Sequence, residues 1–174
     1  MSPFKELQGT ILVLGGAASG KSAFAEQLFA GSGGAVYVAT AEALDDEMRA
    51  RIERHRKRRG KSWTSIEVPL DITGALRANS ETGAPMLIDC LTLWLSNLMH
   101  DGGDSAEMVN ALCAALGDAN FPVVLVSNEV GGGIVPENEL ARSFRDAAGA
   151  MNQKIAAAAD QVYLVTAGIA QKLK

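Results

Sequence analysis

Cysteine and histidine are scarce in this chain, basic charge is not in surplus, and no long apolar run is present. Each shortage removes a class of protein. The two cysteines, Cys90 and Cys113, lie far apart and form no C-x-x-C pair, so they are expected to be reduced core thiols of a cytoplasmic protein. Sixteen Lys and Arg stand against 20 Asp and Glu, giving a net charge of -4. With an isoelectric point near 5.2, that balance argues against a nucleic-acid binder, which usually carries a basic excess. No run approaches the roughly 20 apolar residues of a membrane span. Residues Met1 to Gly9 lack the apolar core of an export signal, so neither a membrane span nor export is expected. There is no internal repeat, low-complexity tract or linker, and residues 1–174 are expected to form one domain large enough to bury its own core. At 48% hydrophobic and 21% charged residues, the composition is that of an ordinary globular protein.

What is present centres on Ile11 to Ser22, ILVLGGAASGKS. Ile11 to Leu14 predicts a short buried strand, and Gly15-x-x-x-x-Gly20-Lys21-Ser22 then matches the phosphate-binding P-loop pattern at every constrained position. A polyphosphate needs several backbone N–H groups aimed at one point. Glycines let the chain turn tightly and approach the anion with no Cβ in the way. The helix beginning near Lys21 adds its positive end. Gly15, Gly16, Ala17, Ala18, Ser19 and Gly20 would cradle the phosphates, Lys21 would reach the β- and γ-phosphates, and the Ser22 hydroxyl would serve a bound Mg²⁺.

Downstream, Ala23 to Phe29 carries apolar residues at helical spacing and ends at Gly31-Ser32-Gly33-Gly34. Ala35 to Ala39 predicts a second buried parallel strand, completing a βαβ unit. Trp63 to Val68 predicts a strand and Asp71 to Ala78 a helix. Met86 to Ile88 predicts a third buried strand, ending in Asp89. A carboxylate at the C-terminal end of a strand in a P-loop protein is placed to hold Mg²⁺, although aspartates also form turns there. Helices are expected over Thr92 to Leu98 and Glu107 to Leu116, broken at Asp101-Gly102-Gly103-Asp104, with His100 on the surface. Pro122 to Val126 predicts a fourth strand leading into the turn-rich loop Asn128 to Pro136. Ligands of open α/β sheets bind at that edge, so the loop is expected to face the substrate. Glu139 to Ala158 predicts a long amphipathic helix, and Gln161 to Thr166 and Ile169 to Leu173 closing strands.

Asp45 to Arg59 has an acidic start and a basic end, which complements a helix dipole. At 100° per residue, Leu44, Met48, Ile52, His55 and Arg59 share one face, whereas Arg54 does not. His55 is therefore either a packing histidine or a side chain bordering a cleft. Its neighbours Arg56, Lys57, Arg58 and Arg59 can neutralise phosphates, and nearby cations keep an imidazole neutral and nucleophilic.

Laid out this way, the chain resembles the bifunctional adenosylcobinamide kinase / adenosylcobinamide-phosphate guanylyltransferase family from about Ile11 to Lys174. The resemblance is carried by GGAASGKS (Gly15 to Ser22), YVAT (Tyr37 to Thr40), DDEMRARIERHR (Asp45 to Arg56), DCLTLWLSNL (Asp89 to Leu98) and NEVGGGIVPENELARSFRDAAGAMNQ (Asn128 to Gln153). It implies an α/β fold: a single P-loop, RecA-like domain with a mostly parallel central sheet flanked by helices. It also implies a homotrimer.

Two activities follow from the resemblance. The first is phosphoryl transfer from ATP or GTP to adenosylcobinamide. The second is transfer of GMP from GTP, through a guanylylated histidine, to adenosylcobinamide phosphate. The histidine would be His55, with Lys21 also catalytic. The nucleotide would be contacted by Gly15 to Ser22, by Ala39, Thr40 and Ala41, by Arg56 to Arg59, and by Glu67 and Asp89, with Ser22 and Asp89 toward the metal. Ala18 stands where many members carry Arg. Two other classes remain open on the residues alone: a kinase moving only a γ-phosphoryl group, with His55 structural, and a non-catalytic nucleotide switch.

Overall fold

A computed structural model describes residues 7–41 and 62–174. Alternating apolar strands and amphipathic helices build one seven-stranded sheet in the order β3-β2-β4-β5-β1-β6-β7. The strands are β1 (Thr10–Gly15), β2 (Ala35–Ala39), β3 (Trp63–Glu67), β4 (Met86–Asp89), β5 (Val123–Asn128), β6 (Gln161–Thr166) and β7 (Ile169–Lys172). All neighbours are parallel except β6 and β7, which form a closing antiparallel hairpin. Among the described residues the helices are α1 (Lys21–Gln27), α2 (Ile72–Asn79), α3 (Leu91–Asp101), α4 (Ser105–Asp118) and α5 (Glu139–Ala158).

The period-2 alternation of the central strands divides the core in two. Leu12, Met86, Ile88, Val123 and Leu125 face α2, α3, α4 and α5, where they meet Ile72, Trp94, Leu112 and Met151. Ile11, Val13, Leu87, Val124 and Val126 face the other way, onto Phe24, Ala25 and Leu28 of α1 and the following turn. Strands buried on both faces read as unbroken apolar runs, as parallel sheets require. Each fully buried Leu or Val contributes about 1.5–3 kcal/mol.

The α/β, mostly parallel architecture expected from the sequence is the one observed. Two local expectations are revised. The strands of the first βαβ unit are parallel but not neighbours, because β4 and β5 lie between β1 and β2. In addition, α4 begins at Ser105, ahead of Glu107, because Asp104 caps it, its carboxylate accepting from the backbone N–H groups of Ala106 and Glu107. Such a cap is worth about 1 kcal/mol. Among the described residues no helix is long and apolar enough to cross a membrane, and His100 is exposed.

Both cysteines are free thiols. Burial, reinforced by the neighbouring Asp89 charge, pushes the Cys90 thiol up to about 11. Burial also raises that of the half-buried Cys113. Treated with a thiol reagent at about pH 8, near the range where a free cysteine titrates, the native protein should label at Cys113 before Cys90. Mass spectrometry of partially labelled protein checks the order, and Cys90 labelling first would contradict the packing.

Candidate nucleotide site

The strands' C-terminal ends line up along one edge. Glu67, Ala39, Asp89 and Val126 are in register across β3, β2, β4 and β5, while Gly15 pairs with Asn128 on one side and Val165 on the other. The phosphate loop leaves β1 at this edge and runs directly into α1. Its conformation demands small residues. A Cβ on Gly15 would sit 2.4 Å from Ser19 Oγ and 2.6 Å from the Val165 carbonyl oxygen. Gly20 takes a φ of +93° and approaches Gly168 so closely that a Cβ would lie 3.1 Å from the Gly168 Cα. Ala18 also takes a left-handed φ, +54°, a conformation that disfavours any side chain.

Backbone hydrogen bonds tie the loop down on both flanks. Glu129 N donates to Gly15 O at 3.0 Å, and Gly168 N in the β6–β7 turn donates to Ser19 O at 2.8 Å. Lys21 is buried and its Nζ donates to Gly16 O at 3.0 Å, so the ammonium already lies folded over the loop. Ser19 Oγ is buried with no partner among the described residues, a hydroxyl free to donate to a phosphate oxygen.

On the neighbouring strands, Tyr37 is buried in β2 and its hydroxyl donates to Asp89 Oδ2 at 3.3 Å, orienting that carboxylate. The Asp89–Cys90 peptide is cis. Thr40 is fully buried. Its Oγ1 donates to Cys90 O at 2.7 Å and accepts from Cys90 N at 2.9 Å, strapping the end of β2 to the end of β4. Asn97 of α3 donates to Thr40 O and Pro69 O, closing the same corner. Glu67 is exposed at the end of β3.

A second polar group, which sequence reasoning missed, pins the end of β5. Thr92 Oγ1 accepts from Asn128 N at 2.6 Å and lies 3.3 Å from Ser127 Oγ. Ser127 Oγ donates to Asn152 Oδ1 at 2.7 Å, and Asn152 Nδ2 donates to Asn128 O at 3.1 Å. Thr92, Ser127 and Asn152 are buried. The one signal for them is polar residues on apolar faces, such as Asn152 among Ala148, Met151 and Ile155 of α5.

The structure therefore brings Gly15 to Ser22, Ala39, Thr40, Ala41, Glu67 and Asp89 to one sheet edge, and the Asn128 to Pro136 loop starts beside them. His55, Arg56, Lys57, Arg58 and Arg59, and the helix expected over Asp45 to Arg59, lie outside the described residues. For Mg²⁺, the donors on offer are hard oxygens, the Ser22 hydroxyl and the Asp89 carboxylate. Among the described residues no cluster of three or more His, Cys, Asp or Glu forms a dedicated metal cage. That set fits a cation taking most of its ligands from phosphates and water. A separate cleft of about 290 Å³, lined by Phe29, Gly31, Gly34 and Trp63 among others, opens at the N-terminal ends of β2 and β3, away from this edge.

A glycine loop between a parallel strand and a helix, a lysine folded over it and an aspartate at the end of β4 define a P-loop nucleotide-binding α/β protein. The backbone fold recurs in solved structures. An ATPase from the type III secretion system of pathogenic bacteria superposes with a TM-score of 0.56 at 12% identity, over 91% of this chain and 51% of its own. A Pyrococcus horikoshii protein superposes at 0.55 with 10% identity, over 98% of this chain and 88% of its own.

Residues 11–173 match the family described as cobinamide kinase / cobinamide phosphate guanyltransferase, and the chain belongs to that enzyme family. The Escherichia coli bifunctional adenosylcobalamin biosynthesis protein CobU is 45% identical, over 94% of this chain and 99% of its own length. The Pseudomonas aeruginosa bifunctional adenosylcobalamin biosynthesis protein CobP is 46% identical, over 94% of this chain and 96% of its own.

The crowding at Gly15 separates two glycines of one loop. Gly15→Ala should destabilise the protein by about 1–3 kcal/mol and weaken nucleotide binding. Nothing lies within 4 Å of a Cβ on Gly16, so Gly16→Ala should stay within about 0.5 kcal/mol of wild type. Denaturant melts of the nucleotide-free proteins make the comparison, and equal losses would contradict this geometry.

Proposed function

We propose that the chain, acting as one domain over residues 1–174, is a bifunctional enzyme of cobalamin biosynthesis. It phosphorylates adenosylcobinamide with ATP or GTP, then transfers GMP from GTP through a guanylylated His55 to adenosylcobinamide phosphate, giving adenosyl-GDP-cobinamide. The observation carrying this reading is the P-loop edge described above, in a chain 44–46% identical to relatives named bifunctional in adenosylcobalamin biosynthesis.

In the kinase step, the backbone N–H groups of Gly15 to Ser22 hold the triphosphate and Lys21 stabilises charge on the β- and γ-phosphates. The aminopropanol hydroxyl of adenosylcobinamide attacks the γ-phosphorus, the bond to the β-phosphate oxygen breaks, and the hydroxyl proton is released. Mg²⁺ near Ser22 and Asp89 supplies charge neutralisation on the phosphate oxygens when bound.

In the second reaction, a neutral His55 nitrogen attacks the α-phosphorus of GTP and pyrophosphate leaves. A phosphate oxygen of adenosylcobinamide phosphate then displaces the imidazole, breaking the P–N bond. One hard displacement becomes two easier ones. Arg56, Lys57, Arg58 and Arg59 stabilise charge on the α-phosphoryl oxygens, and Ala39, Thr40, Ala41 and Glu67 complete the nucleotide's surroundings. The enzyme works in the cytoplasm as a homotrimer, which light scattering during gel filtration tests directly.

The corrinoid needs apolar surface beside this edge. Ile134 is 97% exposed, with Val135 and Leu140 also open to solvent, on the segment that begins at Asn128. Isolated exposed apolar side chains are ordinary, but Ile134 and Val135 lie on the loop that leaves the nucleotide edge at Asn128, which supports a role for that loop in gripping a large apolar substrate.

Incubation with α-labelled GTP followed by denaturation tests the covalent step. Label should stay on wild type and be absent from His55→Ala, while Lys21→Ala should impair both reactions. Label retained by His55→Ala would refute His55 as the nucleophile. In the kinase assay, Ile134→Asp should raise KM for adenosylcobinamide by about tenfold, roughly the value of one lost apolar contact, and leave nucleotide affinity unchanged. An unaltered KM would remove the loop from the corrinoid site.

A further inference from the structure

At the end of β5 sits a polar atom that the folded protein leaves unsatisfied. Asn128 Oδ1 is buried and has no hydrogen-bond partner among the described residues. Its backbone is held tightly: N–H by Thr92 of α3, C=O by Asn152 of α5. Buried polar groups are nearly always paired, so an orphan on a rigidly held residue points to a partner that arrives later.

Its position says which partner. Asn128 pairs with Gly15, the first residue of the phosphate loop, and Asp89 pairs with Val126 on the same strand. Strand alternation puts Asn128 on the face of Val124 and Val126, which is the α1 face where the phosphate loop lies. The amide thus stands between the P-loop and the aspartate. Ser19 Oγ, the other orphan beside Gly15, is a hydroxyl and can donate to a phosphate oxygen. In the orientation the amide takes here, Asn128 Oδ1 does not pair with a phosphate oxygen, because both are acceptors. It needs a donor carried by something other than the triphosphate.

We propose that Asn128 orients the acceptor substrate, its Oδ1 accepting the hydrogen bond of the hydroxyl that attacks the γ-phosphorus. This rests on the kinase reading above. The amide takes no proton. It aims the hydroxyl oxygen at phosphorus while the bond to the β-phosphate oxygen breaks and the proton passes to solvent. The acceptor alcohol supplies the missing donor, and with the triphosphate held in the phosphate loop this bond fixes the hydroxyl oxygen for attack.

The test is Asn128→Leu, which keeps the volume and removes the orphan. A structural role would make the variant less stable. The role proposed here predicts melting no lower than wild type in the nucleotide-free protein, since an unpaired buried carbonyl is replaced by hydrocarbon. It also predicts unchanged affinity for a non-hydrolysable GTP analogue with Mg²⁺. The kcat for phosphoryl transfer to adenosylcobinamide should fall about tenfold or more. If leucine disturbs the packing, Asn128→Ala is read in the same way.

Wild-type kcat in both variants would overturn the proposal. So would a tenfold loss of nucleotide affinity, which would assign the amide to the phosphates or to water on Mg²⁺. If wild type itself transfers no phosphoryl group to adenosylcobinamide, the kinase reading fails and takes this role with it; transfer by wild type and variants alike overturns the role of Asn128 alone.

Discussion

The phosphate loop is clamped between two neighbouring pieces of backbone, and the site depends on that clamp. On one side the chain leaving β5 donates Glu129 N–H to Gly15 O, and on the other the β6–β7 turn donates Gly168 N–H to Ser19 O. Both bonds exist because β1 lies between β5 and β6. A loop fixed this way points its amides at an anion before the anion arrives, so little reorganisation is needed on binding. The clamp also accounts for the small residues: Gly15 is walled in by Ser19 and the Val165 carbonyl, and Gly20 lies against Gly168.

A buried polar network carries the same precision to the next strand. Thr92, Ser127 and Asn152 sit in an otherwise apolar layer, and their hydrogen bonds connect α3 and α5 to the end of β5. Placing such groups in a core costs desolvation, which their mutual pairing offsets. Together with Tyr37 on Asp89 and Thr40 on Cys90, they make the C-terminal edge a set of positioned groups backed by rigid strands. A phosphoryl-transfer site needs that arrangement, because its chemistry is largely positioning and charge stabilisation.

Much of this could be read along the chain. Ile11 to Leu14 followed by GGAASGKS announced a strand, a phosphate loop and a helix. Asp89 at the end of an apolar run announced a carboxylate at the sheet edge, and Glu139 to Ala158 was legible as one amphipathic helix. Each of these depends on residues within a few positions of one another: the period of apolar side chains, a cap, a glycine with no Cβ. The start of α4 was the local exception, because Asp104 serves equally as a turn residue and as a helix cap.

Strand order was not legible. That β4 and β5 insert between β1 and β2, bringing Asp89 and Asn128 alongside the phosphate loop, is decided by how two faces of one sheet bury against helices far apart in the chain. The same holds for Tyr37 reaching Asp89 and for Asn152 reaching Ser127. Short-range periodicity and stereochemistry write the elements and the anion cradle into the sequence. Which strand ends meet, and which polar atom is left waiting there, is settled by long-range packing, whose free energy is shared among many residues and leaves no local mark on any of them.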